Sequence, residues 1–172
     1  MVLNLFKDID TFVFDVDGVL TDGSLLLLDD GQQVRRMNIK DGYALQLAIK
    51  KGYRILVISG GASEAVRTRL NKLGIMDVYL KVTDKIEVLE QYRVANGLQW
   101  PQILFMGDDI PDYGVMQLAG MPCAPSDAAP EIKRLAKYIS PVKGGEGCVR
   151  DVIEKVMKLR GDWAIDTSVP SK

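Results

Sequence analysis

Four short groups of polar residues could do chemistry in this chain: Asp15-Val16-Asp17-Gly18, Ser59-Gly60-Gly61, Thr83-Asp84-Lys85 and Gly107-Asp108-Asp109-Ile110-Pro111-Asp112. Carboxylates spaced i, i+2 leave a strand on one face, so Asp15 and Asp17 emerge together and repel unless a cation or a shared proton offsets them. Asp and Gly also build ordinary acidic turns, and the stretch Asp15-Val16-Asp17-Gly18-Val19 alone leaves the two readings level. A hydroxyl and two glycines between a buried run and a helix start offer free N–H groups to an anion such as phosphate, although plain strand-to-helix turns of this kind are commoner. Lys85 in the first turn of a helix opposes the helix dipole, a placement that suits a strong local anion as well as an exposed surface. Asp108, Asp109 and Asp112 crowd three carboxylates into five residues, costly without a cation.

Other chemistries are excluded by composition. The 172 residues include no histidine, which removes Ser-His and Cys-His dyads, phosphohistidine and His-bound zinc. Neither Cys123 nor Cys148 opens a Cys-x5-Arg phosphate loop, because Ala129 and Glu154 stand at the sixth positions. If the protein is an enzyme, its acids, bases and nucleophile must come mainly from Asp, Glu, Lys, Ser and Tyr. A net charge of −1, from 22 basic and 23 acidic residues, draws the chain neither to nucleic acid nor to an anionic membrane. Two cysteines fit a reducing cytoplasm, and the absence of a signal-type N-terminus and of a long apolar run predicts neither export nor membrane insertion.

The elements that must position these groups follow from hydrophobic patterning. Residues 9–14, 53–58 and 102–106 are near-continuous apolar runs, as strands covered on both faces should be, with shorter strands at 77–80, at 121–123, which reads as edge-like, and at 138–140. Helices alternate with them: one opened by Asp41 as N-cap, then 62–73, about 83–96, from Pro111 to about Ala119, 128–136 and 149–159. This order predicts an α/β fold, a doubly wound, Rossmann-like parallel sheet in which the polar groups share one crevice at the strand ends. Four clusters in one crevice are hard to explain as turns. A hairpin around Asp29-Asp30-Gly31, about 23–38, interrupts the alternation beside Asp15 and Asp17 as a flap with no separate cap domain. Its first arm, Leu25–Leu28, is apolar on both faces and predicts packing against another subunit. Residues 1–160 read as one domain and 161–172 as a tail expected to close a neighbour's site. On the helix 62–73, Arg69 and Lys72 share a face, which is ordinarily a solvated basic face.

Asp15-x-Asp17-Gly18-Val19, Ser59-Gly60, Lys85 and Gly107-Asp108-Asp109-x-x-Asp112, in that order, resemble the motif set of the haloacid dehalogenase superfamily of aspartate-nucleophile phosphatases. The hairpin in place of a cap, with Lys40-Asp41-Gly42-Tyr43, Thr83-Asp84-Lys85, Gly144-Gly145-Glu146-Gly147 and Arg150, is similar to its small tetrameric branch. The resemblance spans about residues 8–160. It implies Asp15 as nucleophile and Asp17 as general acid and base. It further implies Mg2+ held by Asp15, the Asp17 carbonyl and Asp108, with Asp109 and Asp112 orienting waters and Lys85. Ser59, Gly60 and Lys85 would hold the phosphoryl group. In a homotetramer, neighbouring subunits would complete each site, with Arg69 and Lys72 of a neighbour on the substrate carboxylate. The implied substrate is a phosphorylated sugar acid, 3-deoxy-D-manno-octulosonate 8-phosphate first, as in lipopolysaccharide precursor synthesis. Nonulosonate 9-phosphates are the alternative, because Gly61 stands where many members of the branch carry a charge. Two other classes stand beside this reading. A receiver domain carries its acidic pair and lone phosphoaccepting Asp in other places, and a non-catalytic assembly domain would have no need of Asp15, Asp17, Lys85 and Asp108.

Overall fold

The computed structural model describes residues 2–172. A short helix α1 (Val2–Leu5) and a single 3-10 turn (Phe6–Asp8) precede the sheet and bury Phe6 edge-on against Tyr138, ring centroids 5.4 Å apart. Strand β1 (Thr11–Phe14) is buried along its whole length. It is followed by the hairpin arms β2 (Leu26–Leu27) and β3 (Gln33–Val34), paired antiparallel with Leu26 opposite Val34. The alternation then runs α2 (Ile39–Lys50), β4 (Arg54–Ile58), α3 (Glu64–Lys72), β5 (Asp77–Tyr79), α4 (Lys85–Ala95), β6 (Ile103–Met106) and α5 (Tyr113–Leu118). It closes with β7 (Met121–Ala124), α6 (Pro130–Leu135), β8 (Tyr138–Ile139) and α7 (Cys148–Arg160).

Six strands form one parallel sheet in the order β5-β4-β1-β6-β7-β8. The chain winds outward from β1 through β4 and β5, then returns to β6 on the other side of β1. The carboxyl ends of β1 and β6 therefore flank the point where the winding reverses, which in such sheets is where ligands bind. Alternation along the strands makes two cores. Phe12, Phe14, Ile55, Val57, Leu104 and Met106 pack with residues of α2, α3 and α7. Val13, Leu56, Ile58, Ile103 and Phe105 pack with residues of α4, α5 and α6. Helix α7 offers Val149, Val152, Ile153, Val156 and Met157 as one buried stripe at helical spacing.

Two local expectations are corrected, those for Asp41 and for β7, and the lie of the tail is new. Asp41 does not cap α2; Asn38 does, its side chain accepting from the Lys40 N–H at 2.9 Å. Asp41 is buried in the first turn instead and accepts from the Arg150 N–H at 2.7 Å, so it ties α2 to the start of α7. β7 is not edge-like, since it lies between β6 and β8. The tail lies along its own α2: Trp163 meets the Tyr43 ring edge-on, Asp166 pairs with Lys50 at 2.6 Å, and Gln46 donates to the Pro170 carbonyl at 3.0 Å. Among the described residues no helix is long and apolar enough to cross a membrane.

Candidate active site

Each polar cluster sits where a strand of the parallel sheet ends. Asp15 follows β1, its N–H donating to the Met106 carbonyl at 3.1 Å, so the β1–β6 ladder carries it directly to the crevice. Gly18 then takes φ +82°, and a Cβ there would collide with the Asp108 carboxylate. The Asp-x-Asp-Gly turn closes only because that position has no side chain, which lets the carboxylate after β6 lie against the backbone after β1. Thr21 pins the turn, its hydroxyl accepting from the Gly18 and Gly23 N–H groups, each at 3.2 Å. The loop Gly144–Gly147 buttresses it from behind, with the Gly145 N–H donating to the Val19 carbonyl at 3.0 Å.

Asp15, Asp108 and Asp112 each present a carboxylate oxygen, and the three oxygens lie within 4.8 Å of one another. Asp112 is fully committed: one oxygen accepts from the Asp108 N–H at 3.0 Å, the other from Lys85 Nζ at 2.6 Å. Lys85 also reaches Asp15 Oδ1 at 3.0 Å. Its place at the first turn of α4 is explained by these partners, while Asp84 caps the helix through the Ile86 and Glu87 N–H groups. Asp109 is exposed and accepts from the adjacent Ile110 N–H at 2.8 Å; it is Asp112, not Asp109, that orients Lys85.

The electrostatics describe a site short of positive charge. Burial, and then Asp112, push the Asp15 carboxyl up to about 7 from its ordinary 3.8, even with Lys85 opposing. Burial, then Asp15 and Asp112, push Asp108 up to about 8. Burial alone would lower the Lys85 ammonium, yet Asp15 and Asp112 carry it above its usual value. One ammonium does not balance three clustered carboxylates. A hard divalent cation taking carboxylate oxygens is the group this donor set fits.

Ser59 is buried at the end of β4, and its hydroxyl accepts from the Gly61 N–H at 3.0 Å. The Gly60 N–H has no partner among the described residues and is the group here that remains open to an anion. Asp17 is half-exposed and forms a two-point ion pair with Arg35 of the flap, Nε to Oδ1 at 2.6 Å and Nη2 to Oδ2 at 3.2 Å. The structure thus brings together Asp15, Asp17, Ser59, Gly60, Lys85, Asp108 and Asp112. Arg69 and Lys72 stand apart on α3. Arg69 lines a cavity of about 620 Å³ between that helix and the flap, and Lys72 a neighbouring recess with Lys172. Arg35 escaped the reading of the sequence, where it is one of two adjacent arginines in a polar hairpin arm. Only the folded hairpin shows which of the two turns inward: Arg36 pairs with Asp22 and is largely exposed.

Such a crevice on a doubly wound sheet, with a carboxylate cluster, a lysine and a glycine turn, defines a hydrolase-type α/β enzyme acting on an anionic substrate. The chain belongs to the haloacid dehalogenase-like hydrolases, whose family model matches residues 62–152. It is 30% identical over 164 residues to the 3-deoxy-D-manno-octulosonate 8-phosphate phosphatase of Yersinia pestis, covering 93% of this chain and 88% of that protein. The crystal structure of the Yersinia pestis phosphatase superposes with a TM-score of 0.91 at 29% identity, covering 94% of this chain and 87% of that one. That of the Moraxella catarrhalis phosphatase, in complex with magnesium ion, phosphate ion and KDO, gives 0.90 at 28% identity, covering 94% and 92%.

Proposed function

We propose that this chain is a Mg2+-dependent phosphatase of phosphorylated sugar acids, with 3-deoxy-D-manno-octulosonate 8-phosphate as its substrate and the free sugar acid and phosphate as products. The observation that carries the reading is the buried cluster of Asp15, Asp108 and Asp112 around Lys85, at the switch point of a fold shared with phosphatases of that substrate. Asp15, Asp108 and the Asp17 carbonyl would hold Mg2+. When bound, the ion offsets the charge of an ionised carboxylate facing an anionic phosphoryl group.

In this reading Asp15 attacks phosphorus, forming an aspartyl-phosphate as the bond to the sugar oxygen breaks. Asp17 gives its proton to that leaving oxygen. It then takes a proton from the water whose oxygen attacks phosphorus, which releases phosphate and restores Asp15. The Ser59 hydroxyl and the Gly60 N–H hold phosphoryl oxygens, and Lys85 balances the charge that builds on them. Asp112 keeps Lys85 in place, and Asp109 lies at the outer edge of the site.

The catalytic unit is residues 1–160 with the flap at about 23–38, and 161–172 is a tail. Leu26 and Leu27 of the flap are 63% and 70% exposed, which supports burial against a neighbouring subunit in a homotetramer. Arg69 and Lys72 of that neighbour bind the substrate carboxylate. Both cysteines are buried and free, in keeping with work in the cytoplasm. Neither nucleic acid nor membrane takes part.

A screen of phosphorylated sugar acids against neutral sugar phosphates, with Mg2+ and with EDTA, tests the reading. The expected result is Mg2+-dependent turnover that favours the octulosonate ester. Preference for a nonulosonate 9-phosphate would transfer the assignment to that substrate, and no turnover of any ester would overturn it in favour of a non-catalytic assembly domain.

A further inference from the structure

Helix α7 begins without a side-chain cap of its own. Its cap position is Gly147, at φ +117°, and an acceptor for its first turn comes from α2: Asp41 Oδ1 takes the Arg150 N–H at 2.7 Å. Asp41 is 1% exposed, and its Oδ2 is buried with no partner among the described residues. An amide would supply the same acceptor at this position. What the carboxylate adds is negative charge at the positive end of a 13-residue helix. The segment it anchors lies against the catalytic turn. The Val19 carbonyl accepts from the Gly145 N–H at 3.0 Å and from the Cys148 thiol at 3.3 Å. Burial, and then Asp41, hold that thiol above its ordinary value, so it keeps the proton it donates. The two segments are so close that a Cβ on Gly144 would overlap the Gly18 carbonyl oxygen, and one on Gly145 the Thr21–Asp22 peptide. Asn38, the cap of α2, donates to the Gly145 carbonyl at 3.3 Å, so the start of α2 grips the segment twice.

We infer that Asp41 is a positioning residue for the metal: by capping α7 from outside it fixes Gly144–Cys148 against the turn after β1, and so sets the Asp17 carbonyl that would hold Mg2+. The role given to that carbonyl rests on the phosphatase reading. The peptide that carries it also carries the Gly18 N–H, which the Thr21 hydroxyl accepts at 3.2 Å. The next carbonyl along, that of Gly18, is the one Gly144 presses on. Held on both sides, the peptide is kept from rotating, and a cation binds best to oxygens that need no rearrangement. Asp41 acts on the site through backbone alone. Loss of its carboxylate leaves the start of α7 with an open N–H and lets Gly145 draw back from Val19. A tie that served stability only would leave the metal site as it was.

The test uses the full-length chain, with each variant checked for folding by circular dichroism. Mg2+ affinity is measured by calorimetry in the presence of inorganic phosphate, and exchange of the Gly145 amide by NMR in EDTA. Asp41→Ala is expected to weaken Mg2+ binding by about tenfold or more, the low end of the loss when the support of a metal ligand is removed. Gly145 exchange should quicken by about tenfold or more in the same variant. Asp41→Asn keeps the acceptor and should recover part of both. Val156→Ala removes buried packing about 12 Å farther along α7 and should leave Mg2+ affinity within about twofold of the parent. Parent-like Mg2+ affinity in Asp41→Ala would overturn the inference. An equal loss in Val156→Ala would do so too, reducing Asp41 to general stability. Asp41→Asn no better than Asp41→Ala would remove the accepted hydrogen bond as the link. A parent chain that binds no Mg2+ defeats the phosphatase reading, whereas Gly145 exchange is read without metal, and an unchanged rate there defeats the role of Asp41 alone.

Discussion

Lys85 and Asp112 are joined by a 2.6 Å ion pair in which both side chains are almost wholly buried, 7% and 1% exposed. The other Asp112 oxygen takes the Asp108 N–H at 3.0 Å, so this one carboxylate sets both the ammonium and the backbone that carries Asp108. Asp112→Asn keeps the shape but removes the charge that holds Lys85. Turnover or Mg2+ affinity is expected to fall by about 10–100-fold, as when a group that orients a metal ligand is lost. Kinetics across a Mg2+ titration would separate the two, and a variant indistinguishable from the parent in both would rule out this supporting role.

The two aspartates of the first turn should fail differently. Asp15→Asn is expected to lower kcat by roughly a thousandfold or more, with no phosphoryl group retained on the protein. Asp17→Asn is expected to lose about 10²–10⁴-fold, the span of a general acid and base, and to retain phosphate on Asp15 under single-turnover conditions. Acid-quenched mass measurement distinguishes them. A phosphorylated Asp15→Asn variant would move the nucleophile to another residue.

Stability of the metal-stripped protein should depend on pH in a stated direction. An acid whose value is raised on folding stabilises the fold below its unfolded value and loses that contribution as pH rises through the folded value. Asp15 at about 7, Asp108 at about 8 and Asp41 at about 6, all raised first by burial, share this sign. In EDTA the melting temperature is expected to fall between about pH 5 and about pH 8.5, and Mg2+ should offset most of the fall. Asp108→Asn should flatten the upper part of the curve and leave the part due to Asp41. A melting temperature that climbs with pH in EDTA would contradict the charge deficit described for the site.

Gly18→Ala addresses how the site is assembled. The position has φ +82° and no room for a Cβ beside Asp108. The left-handed backbone alone costs about 1–2 kcal/mol for an L-residue, before the carboxylate is displaced. Folding is expected to survive with a lower melting temperature while Mg2+-dependent turnover is lost. Unchanged turnover would mean that Asp108 need not lie against this turn.

The flap makes a prediction about assembly. Leu26 and Leu27 stand well out of the single chain, and replacing both with Asp should convert a tetramer to smaller species in sedimentation velocity. A monomeric mass for the unsubstituted chain would end the proposal that neighbours complete the site.

Much of this protein is legible from residue order. Buried runs ending in Asp, Ser-Gly or Gly-Asp-Asp locate strand ends, and their alternation with helices requires a parallel sheet with helices on both faces, because each apolar strand needs cover on both sides. The convergence of Asp15, Ser59, Lys85 and Asp108 follows from that topology, since parallel strands end on one rim. Other features depend on distances that no local pattern encodes. That Asp112 rather than Asp109 holds Lys85 is decided by the tight turn at Pro111, and that Asn38 caps α2 and frees Asp41 to meet α7 is decided by packing 109 residues away. Arg35 and Arg36 are adjacent in an extended arm and so point to opposite faces, and how the hairpin docks on the sheet decides which of them meets Asp17. Chain order thus determined which residues could reach the crevice, while the choice between neighbours of the same type was left to steric fit in three dimensions.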